Sequence, residues 1–209
     1  MRAMNWAGST VNFDFDFIYA QLKYYLMTMP KEKLFPNMAI RSMSEYIRRN
    51  LRYGQLTGVE IGVHVARNSY NIATLLPIKK LYLIDPYTKY EQDGAAANPD
   101  TDTGFIKRTA HRRMNLFKDK IVWIEDYSGK AVDRVPDDLD FVYIDGNHDY
   151  EFVKKDIELY YPKVKKGGVI GGHDFDGSNR GVARAAIEFA DEHHLELFGG
   201  KIDWFVVVK

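Results

Sequence analysis

From residue 57 onwards, short apolar runs alternate with amphipathic stretches along the chain. Short apolar runs bounded by polar turns are typical of buried strands, and apolar residues at helical spacing are typical of helices. The alternation predicts repeated β-α units, which form a parallel sheet with helices on both faces. The predicted strands are residues 58–61, 81–84, 121–124, 141–144 and 169–171, and the predicted helices are residues 68–76, 104–117, 151–161 and 181–192.

The end of the chain follows a different pattern. Residues 195–198 and 204–208 are two strand-like runs, and Gly199 and Gly200 lie between them. Runs of this kind joined by a short glycine-containing connection predict a β-hairpin. We therefore predict an α/β sheet that is mostly parallel and closes with an antiparallel pair.

The first 56 residues precede this pattern. Residues 43, 46, 47 and 51 are apolar and recur at helical spacing before Gly54, which predicts a helix. The aromatic stretch at residues 13–29 suits a helix, but its Phe-Asp alternation suits an extended segment equally. We predict that residues 1–56 cover the core or form an oligomer contact, and that residues 57–209 form the main domain.

A polar segment at residues 86–103 interrupts the β-α alternation and contains Gly94 and the pair Asn98-Pro99. It is longer than an ordinary connection between a strand and a helix. Two interpretations stay open, a lid over an active site and a tolerated surface insertion.

The amino-acid composition limits the classes of protein to which this chain can belong. The 209 residues suit one domain, and 45% hydrophobic with 28% charged residues is typical of globular proteins. The 29 Lys and Arg residues balance 29 Asp and Glu residues, so the charge balance does not favour nucleic acid as a partner. With no cysteine, disulfides and thiolate metal sites are excluded, and we expect a cytoplasmic protein. No apolar stretch is long enough to predict a membrane span.

The first candidate site follows the first predicted strand. Glu60 and Gly62 lead into a turn of small residues before a helix, and Ala66 stands where a further glycine is usual. A glycine here lets the backbone approach a ligand closely. Asp85 ends the next predicted strand, where a carboxylate can accept hydrogen bonds from both ribose hydroxyls of an adenosine. The alternative for Asp85 is a structural role in the turn before Pro86.

A second group of polar residues follows the third predicted strand. Asp126 and Tyr127 lie there, at the position that an adenine ring would reach in a sheet of this topology. Asp126 could accept a hydrogen bond from the adenine amino group. These two residues complete the predicted cofactor site, together with Glu60, Gly62 and Asp85.

Two longer stretches carry the most specific pattern, DFVYIDGNHDY at residues 140–150 and PKVKKGGVIGGHDF at residues 162–175. Together with VEIG at 59–62 and IDPY at 84–87, they resemble the class I S-adenosylmethionine-dependent methyltransferases, in particular the macrocin-type O-methyltransferases of macrolide sugars. The resemblance covers about residues 57–209. It implies a Rossmann-like sheet of seven strands, S-adenosylmethionine as cofactor, and methylation of a hydroxyl on a small molecule such as a sugar or glycoside.

The resemblance also implies a divalent cation. In that family an aspartate after the fourth strand and an acidic pair after the fifth hold the metal, usually magnesium, which grips the acceptor hydroxyls. Asp145 matches the first position and Asp174 matches one member of the pair. The other position is His173, and an imidazole suits softer metals better than magnesium. The implied metal ligands are therefore Asp145, His173 and Asp174.

Physical reasoning places the same residues together. Side chains at the carboxyl ends of neighbouring parallel strands meet in one crevice, so Asp145, His148, His173 and Asp174 are expected to converge. We predict that Asp145 and Asp174 orient the acceptor, directly or through a metal, and that either His148 or His173 is the general base. The alternative is that His148 and Asp149 cap the following helix, while His173 and Asp174 shape a loop.

Other classes of function remain open at this point. A nicotinamide-dependent oxidoreductase would use the same ribose carboxylate, but the Gly-x-Gly-x-x-Gly fingerprint is absent after Gly62. A non-catalytic adenosine-binding domain would show the same motifs without turnover. The expected partners are a small-molecule acceptor and a second copy of the chain, with neither nucleic acid nor membrane.

Overall fold

The computed structural model describes residues 41–51, 54–89, 91–92, 95–96, 102–177, 179–200 and 202–209. The predicted element at residues 13–29 lies outside these residues. The chain divides into two compact units, Met1–Ala39 and Ile40–Lys209, and the second is described below. Roles for the segment 1–56 as a cover or an oligomer contact stay predictions.

Seven strands of the described chain form one mixed sheet. In chain order the strands are β1 Leu56–Ile61, β2 Ile78–Ile84, β3 Glu91–Gln92, β4 Ala95–Ala96, β5 Ile121–Ile124, β6 Leu139–Ile144, β7 Val164–Gly172, β8 Leu197–Gly200 and β9 Asp203–Val207, with β3 and β4 forming a separate two-stranded ribbon. The order in the sheet is β5-β2-β1-β6-β7-β9-β8, and β9 runs antiparallel to β7 and β8. This arrangement confirms the predicted α/β fold with an antiparallel C-terminal pair.

Helices cover both faces of the sheet, as the amphipathic pattern predicts. They are α1 Ser42–Asn50, α2 Arg67–Leu75, α3 Thr103–Met114, α4 Ser128–Ala131, α5 Tyr150–Tyr160 and α6 Arg180–Glu192. Apolar side chains of α1, α2 and α3 form one core cluster against the sheet, and those of α4, α5 and α6 form another on the opposite face. Helix α1 belongs to this core, because Met43 and Ile47 are buried within the first cluster.

The direction of strand order reverses between β1 and β6. From β1 the chain continues outward to β2 and β5 on one side, whereas β6 continues outward to β7 on the other. In α/β sheets, ligands bind in the crevice beyond the carboxyl ends of the strands at such a reversal. The fold therefore places the candidate site above the ends of β1 and β6.

Two elements differ from the predicted ones. Helix α3 ends at Met114 and continues as a 3-10 helix, Asn115–Lys120, where the prediction has one helix through residue 117. Strand β7 begins at Val164, well before the predicted start at residue 169. Gly167 has a φ of 76°, and its backbone N–H donates to the Val208 carbonyl at 2.8 Å. Gly167 and Gly168 therefore lie within strand β7, which is irregular at this point, and not before its start.

The polar segment after β2 contains the short β3–β4 ribbon, with Glu91 opposite Ala96. Its predicted role as a lid or an insertion stays open. No helix in the described part of the chain is both long and apolar enough to cross a membrane.

The ends of β1 and β6 are packed backbone against backbone. Asp145 donates its N–H to the Ile61 carbonyl at 2.8 Å, and Gly62 donates to the Ile84 carbonyl at 2.9 Å. Gly62 has a φ of 81°, and a Cβ at this position would overlap the Asp145 carbonyl group. Close contact with the neighbouring strand end therefore requires a glycine here.

We expect the substitution Gly62→Ala to destabilise the fold by at least about 2 kcal/mol, because the left-handed conformation and the backbone overlap both act against a methyl group. Urea unfolding followed by circular dichroism measures the loss. Gly177→Ala is the matched control, since a Cβ at Gly177 meets no atom within 4 Å. Equal unfolding midpoints for the two variants would contradict this account of Gly62.

Candidate active site

The turn between β1 and α2 is held by Asp85. One oxygen of its carboxylate accepts from the backbone N–H groups of Val63 and His64 at 2.9 and 2.8 Å, and the other accepts from Tyr87 at 2.8 Å. His64 and Ala66 have φ values of 49° and 57°. Left-handed backbone costs free energy in residues with a Cβ, so the turn depends on such fixed contacts. Asp85 thus holds both the β1–α2 turn and its own loop, and its contact with a ribose stays a prediction.

Glu60 lies beneath this turn and is almost completely buried. Its carboxyl group accepts hydrogen bonds from the Asn68 amide at 3.0 Å and from the Ser69 hydroxyl. Burial raises the pKa of Glu60 to about 8, although both hydrogen bonds lower it. The side chain is therefore largely neutral at pH 7 and joins β1 to the first turn of α2.

Asp126 and Tyr127 follow β5 on the far side of Asp85. Asp126 accepts from the N–H of Tyr127 at 2.9 Å and lies 3.7 Å from the Arg134 guanidinium. The Tyr127 hydroxyl is 3.1 Å from the Thr88 hydroxyl, which joins the loops after β2 and β5. Tyr127 itself is exposed. The predicted adenine-binding residues therefore lie beside the loop that begins at Asp85.

The carboxyl ends of β6 and β7 bring four titratable side chains together, as predicted. Asp174 is central: His148 Nε2 lies 2.9 Å from its Oδ2 atom, and His173 Nδ1 lies 2.9 Å from its Oδ1 atom. The same His173 nitrogen is 3.6 Å from Asp145 Oδ1. His173 Nε2 is buried and has no hydrogen-bond partner among the described residues. The cluster is thus a continuous chain, His148–Asp174–His173–Asp145.

The pKa values of the two aspartates are shifted in opposite directions. Burial raises the pKa of Asp145 to about 6, partly offset by His173, while the nearby Asp174 raises it further. Burial also acts to raise the pKa of Asp174, but the hydrogen bonds from His148 and His173 outweigh it and lower the pKa well below its usual range. The hydrogen bond to Asp174 in turn raises the pKa of His148. Asp174 is ionised at neutral pH, whereas Asp145 gains or loses a proton near pH 6.

Part of this cluster can hold a metal ion. One ligand atom each from Asp145, His148 and Asp174 lie within 4.8 Å of one another. This set contains His148, where the sequence analysis predicts His173 beside the two aspartates. Two carboxylate oxygens and one imidazole nitrogen suit a divalent transition metal better than magnesium.

Several residues near the site were not singled out from sequence. Asn68 and Ser69 bind Glu60, and their position in the first turn of α2 is a signal that could have identified them. Tyr87 follows Asp85, and its buried hydroxyl has no partner among the described residues. Arg41 and Asp203 form an ion pair across 162 residues of sequence, for which the sequence carries no local signal.

The sequence matches a family described as Methyltransferase domain over residues 41–175, which is more than half of the chain. The chain therefore belongs to this methyltransferase family. It is an enzyme of the S-adenosylmethionine-dependent class, and the oxidoreductase alternative is wrong. A curated relative, an uncharacterized protein of Acanthamoeba polyphaga mimivirus, is 30% identical over 131 residues. The matched region covers 60% of this chain and 54% of the relative, so the chain spans about half of that protein.

Solved structures share the fold at low sequence identity. A calicheamicin methyltransferase has a TM-score of 0.59 at 15% identity, with 98% of this chain and 97% of that chain covered. An O-methyltransferase from Bacillus cereus in complex with SAH has a TM-score of 0.56 at 15% identity, covering 95% of this chain and 93% of that one. A putative rRNA-methylase from Clostridium thermocellum reaches 0.59 at 11% identity, covering 82% and 99%. These similarities support the fold.

The raised pKa of Glu60 makes a prediction for stability. A carboxyl group with a pKa of about 8 in the folded state and 4.5 in the unfolded state keeps its proton only in the folded protein between these values. Its contribution to stability is therefore complete below pH 4.5 and is lost as the pH rises towards 8. Glu60→Gln removes this titration, and its amide can still bind Asn68 and Ser69. We expect the free energy of unfolding of the variant to exceed that of the parent by up to about 3 kcal/mol at pH 7.

Urea unfolding at pH 5, 6, 7 and 8 without cofactor measures the difference between parent and variant. Glu45→Gln is the control of opposite sign, because Arg48 and Arg49 lower the pKa of Glu45. That variant is expected to be slightly less stable than the parent by a constant amount over the same range. A Glu60→Gln difference that does not grow with pH would contradict the raised pKa.

Proposed function

We propose that this methyltransferase transfers the methyl group of S-adenosylmethionine to a hydroxyl of a small molecule, such as a sugar or glycoside, with assistance from a divalent cation. The observation that carries the proposal is the convergence of Asp145, His148, His173 and Asp174 beside the strand reversal. A solved structure with a similar fold is named as a TDP-rhamnose 3′-O-methyltransferase, which supports a sugar acceptor. The motif resemblance to macrocin-type enzymes supports the same acceptor class.

The cofactor end of the site is assigned to the residues after β1, β2 and β5. Glu60 and Gly62 would lie beside the methionine moiety, Asp85 would accept from the ribose hydroxyls, and Asp126 with Tyr127 would border the adenine. The exposed Tyr127 ring offers an apolar face to adenine. The carboxylate of Asp85 already accepts three backbone N–H groups, which orients it without using all of its lone pairs.

The acceptor end is assigned to the residues after β6 and β7. In the reaction, an oxygen lone pair of the acceptor forms the new O–CH₃ bond, the C–S bond breaks, and sulfur leaves as a neutral thioether. The hydroxyl proton passes to a base, for which His148 and His173 are the candidates. Asp174 binds a ring nitrogen of each histidine, which is the arrangement that fixes the orientation and tautomer of a histidine base.

The donor atoms of Asp145, His148 and Asp174 would fit a divalent cation. When bound, such a cation acts as a Lewis acid that lowers the pKa of a coordinated hydroxyl. Asp145 must be ionised to take part, and its pKa of about 6 places that ionisation just below neutral pH. The residues themselves orient the acceptor oxygen and hold its proton.

The assignment of Asp85 is tested by cofactor affinity. We expect Asp85→Asn to weaken binding of S-adenosylhomocysteine about tenfold to a hundredfold in calorimetry, because a charge-assisted hydrogen bond is lost. Asp119→Asn is the matched control. Asp119 is exposed and lies beside Lys80, towards the other end of β2 from Asp85. Parental affinity in the Asp85→Asn variant, with an unchanged melting temperature, would contradict the ribose assignment.

The metal assignment is tested by turnover on a panel of sugars and glycosides, with product detected by mass spectrometry. Exhaustive chelation is expected to abolish methylation, and a divalent cation is expected to restore it. Asp145→Asn should reduce turnover at least about a hundredfold while cofactor affinity stays near that of the parent. Cation affinity should fall as the pH drops through 6.

If chelation leaves the turnover of a confirmed acceptor unchanged, the metal part of the proposal is wrong. His148 or His173 would then act as an unassisted base. If the cofactor binds but no acceptor in any class is methylated, a non-catalytic adenosine-binding domain becomes the better explanation.

A further inference from the structure

Arg41 lies immediately before α1 and forms part of a buried polar cluster with no role in the site described so far. Its Nη1 atom is 3.5 Å from Oδ1 of Asp203, the first residue of β9. The Tyr143 hydroxyl donates to the same oxygen at 3.1 Å, and the Ser42 hydroxyl donates to Oδ2 at 3.4 Å. The Asp203 side chain is only 2% exposed. A carboxyl group buried to this degree requires such partners.

The cluster lies at the strand reversal. Tyr143 in β6 is paired with Glu60 in β1, so the hydroxyl that binds Asp203 comes from the strand next to Glu60. Burial raises the pKa of Glu60, Asp145 and Asp203, and the charge of the Arg41 guanidinium acts against that rise at each of the three. The Arg41 side chain is 22% exposed, so part of it stays accessible beside the ion pair with Asp203.

The cofactor would bring a carboxylate of its own into this crevice. Its methionine moiety is assigned beside Glu60 and Gly62 at the end of β1. Asp85 and Asp145 follow the neighbouring strands β2 and β6. A further carboxylate among these groups requires a cation. An arginine meets this requirement well, because the planar guanidinium binds carboxylates in a fixed geometry and keeps its charge at every working pH.

We infer that Arg41, held in place by Asp203 and Tyr143, binds the carboxylate of the cofactor's methionine moiety. The inference rests on the proposed function, because it uses the proposed position of S-adenosylmethionine. It gives the Asp203–Tyr143 pair a positioning role through Arg41. The competing explanation is purely structural, in which Arg41 and Ser42 only join α1 to the β8–β9 hairpin, since Ser42 also donates to the Gly200 carbonyl.

Two ligands separate these explanations. S-adenosylhomocysteine carries the amino-acid carboxylate, whereas 5′-methylthioadenosine has the same adenosine and sulfur but no amino-acid group. Calorimetry with Arg41→Gln is expected to show about a tenfold to hundredfold weaker binding of S-adenosylhomocysteine and unchanged binding of 5′-methylthioadenosine. Arg41→Lys should recover part of the lost affinity, because the charge is kept and the fork geometry is lost.

The controls address folding. Arg49→Gln changes an exposed arginine of the same helix that pairs with Glu45, and it is expected to leave both affinities unchanged. The double variant Arg41→Gln/Asp203→Asn removes both members of the ion pair, so no unpaired charge stays buried. It is expected to melt closer to the parent than Arg41→Gln does, while still binding S-adenosylhomocysteine weakly.

Equal losses for both ligands, or a double variant that regains parental affinity for S-adenosylhomocysteine, would show that Arg41 acts only on the fold. Unchanged affinity for both ligands in Arg41→Gln would also overturn the inference, while the proposed function stands. A parent protein that binds neither ligand would overturn both together.

Discussion

The close approach of β1 and β6 at Gly62 is the constraint on which the site depends. Because the Asp145 backbone occupies the space where a side chain at Gly62 would lie, the two strand ends are fixed within hydrogen-bonding distance of each other. Asp145 therefore starts its loop beside the β1–α2 turn. His173 continues the same ladder by donating its N–H to the Ile144 carbonyl at 3.0 Å. One backbone contact thus aligns the proposed cofactor end with the proposed acceptor end of the crevice.

This alignment concentrates carboxyl groups at one edge of the sheet, and each is stabilised differently. Asp85 accepts backbone N–H groups, Asp174 accepts from two histidines, and Asp203 is paired with Arg41. Glu60 is instead held as a largely neutral acid, because burial outweighs its two hydrogen bonds. Asp145 is intermediate, with its pKa of about 6. A positive charge that binds beside these acidic groups favours their ionised forms.

The sequence predicts the parts of this arrangement that depend on local pattern. The strands that carry the site end where the apolar runs end, so the positions of Glu60, Asp85 and Asp145 follow from periodicity and topology alone. The start of β7 could not be predicted in the same way, because Gly167-Gly168 suits a turn as well as a bulge. The hydrogen bonds with Val208, just after β9, decide between them, and that contact is distant in sequence.

The difference between local sequence pattern and contacts distant in sequence also applies to the residues of the site. The convergence of the two histidines with the two aspartates is predictable, because each follows a strand end. Loop geometry decides which histidine could share a metal with both aspartates, and the ligand atoms that lie within 4.8 Å of one another come from Asp145, His148 and Asp174. His173 instead lies between the two aspartates. The pair of Arg41 and Asp203 is beyond prediction from one sequence, since 162 residues separate the partners and neither lies in a recognisable motif.

The charges at this edge also bear on the direction of the proposed reaction. S-adenosylmethionine carries a sulfonium and an ammonium group against one carboxylate, so its net charge is positive, and transfer of the methyl group leaves a neutral product. An acidic edge attracts the cofactor more strongly than the product, because only the cofactor carries the sulfonium charge. Excess negative charge would also repel the cofactor's carboxylate. A cation such as Arg41 offsets that repulsion locally, so that the edge can favour the sulfonium without rejecting the other end of the same molecule.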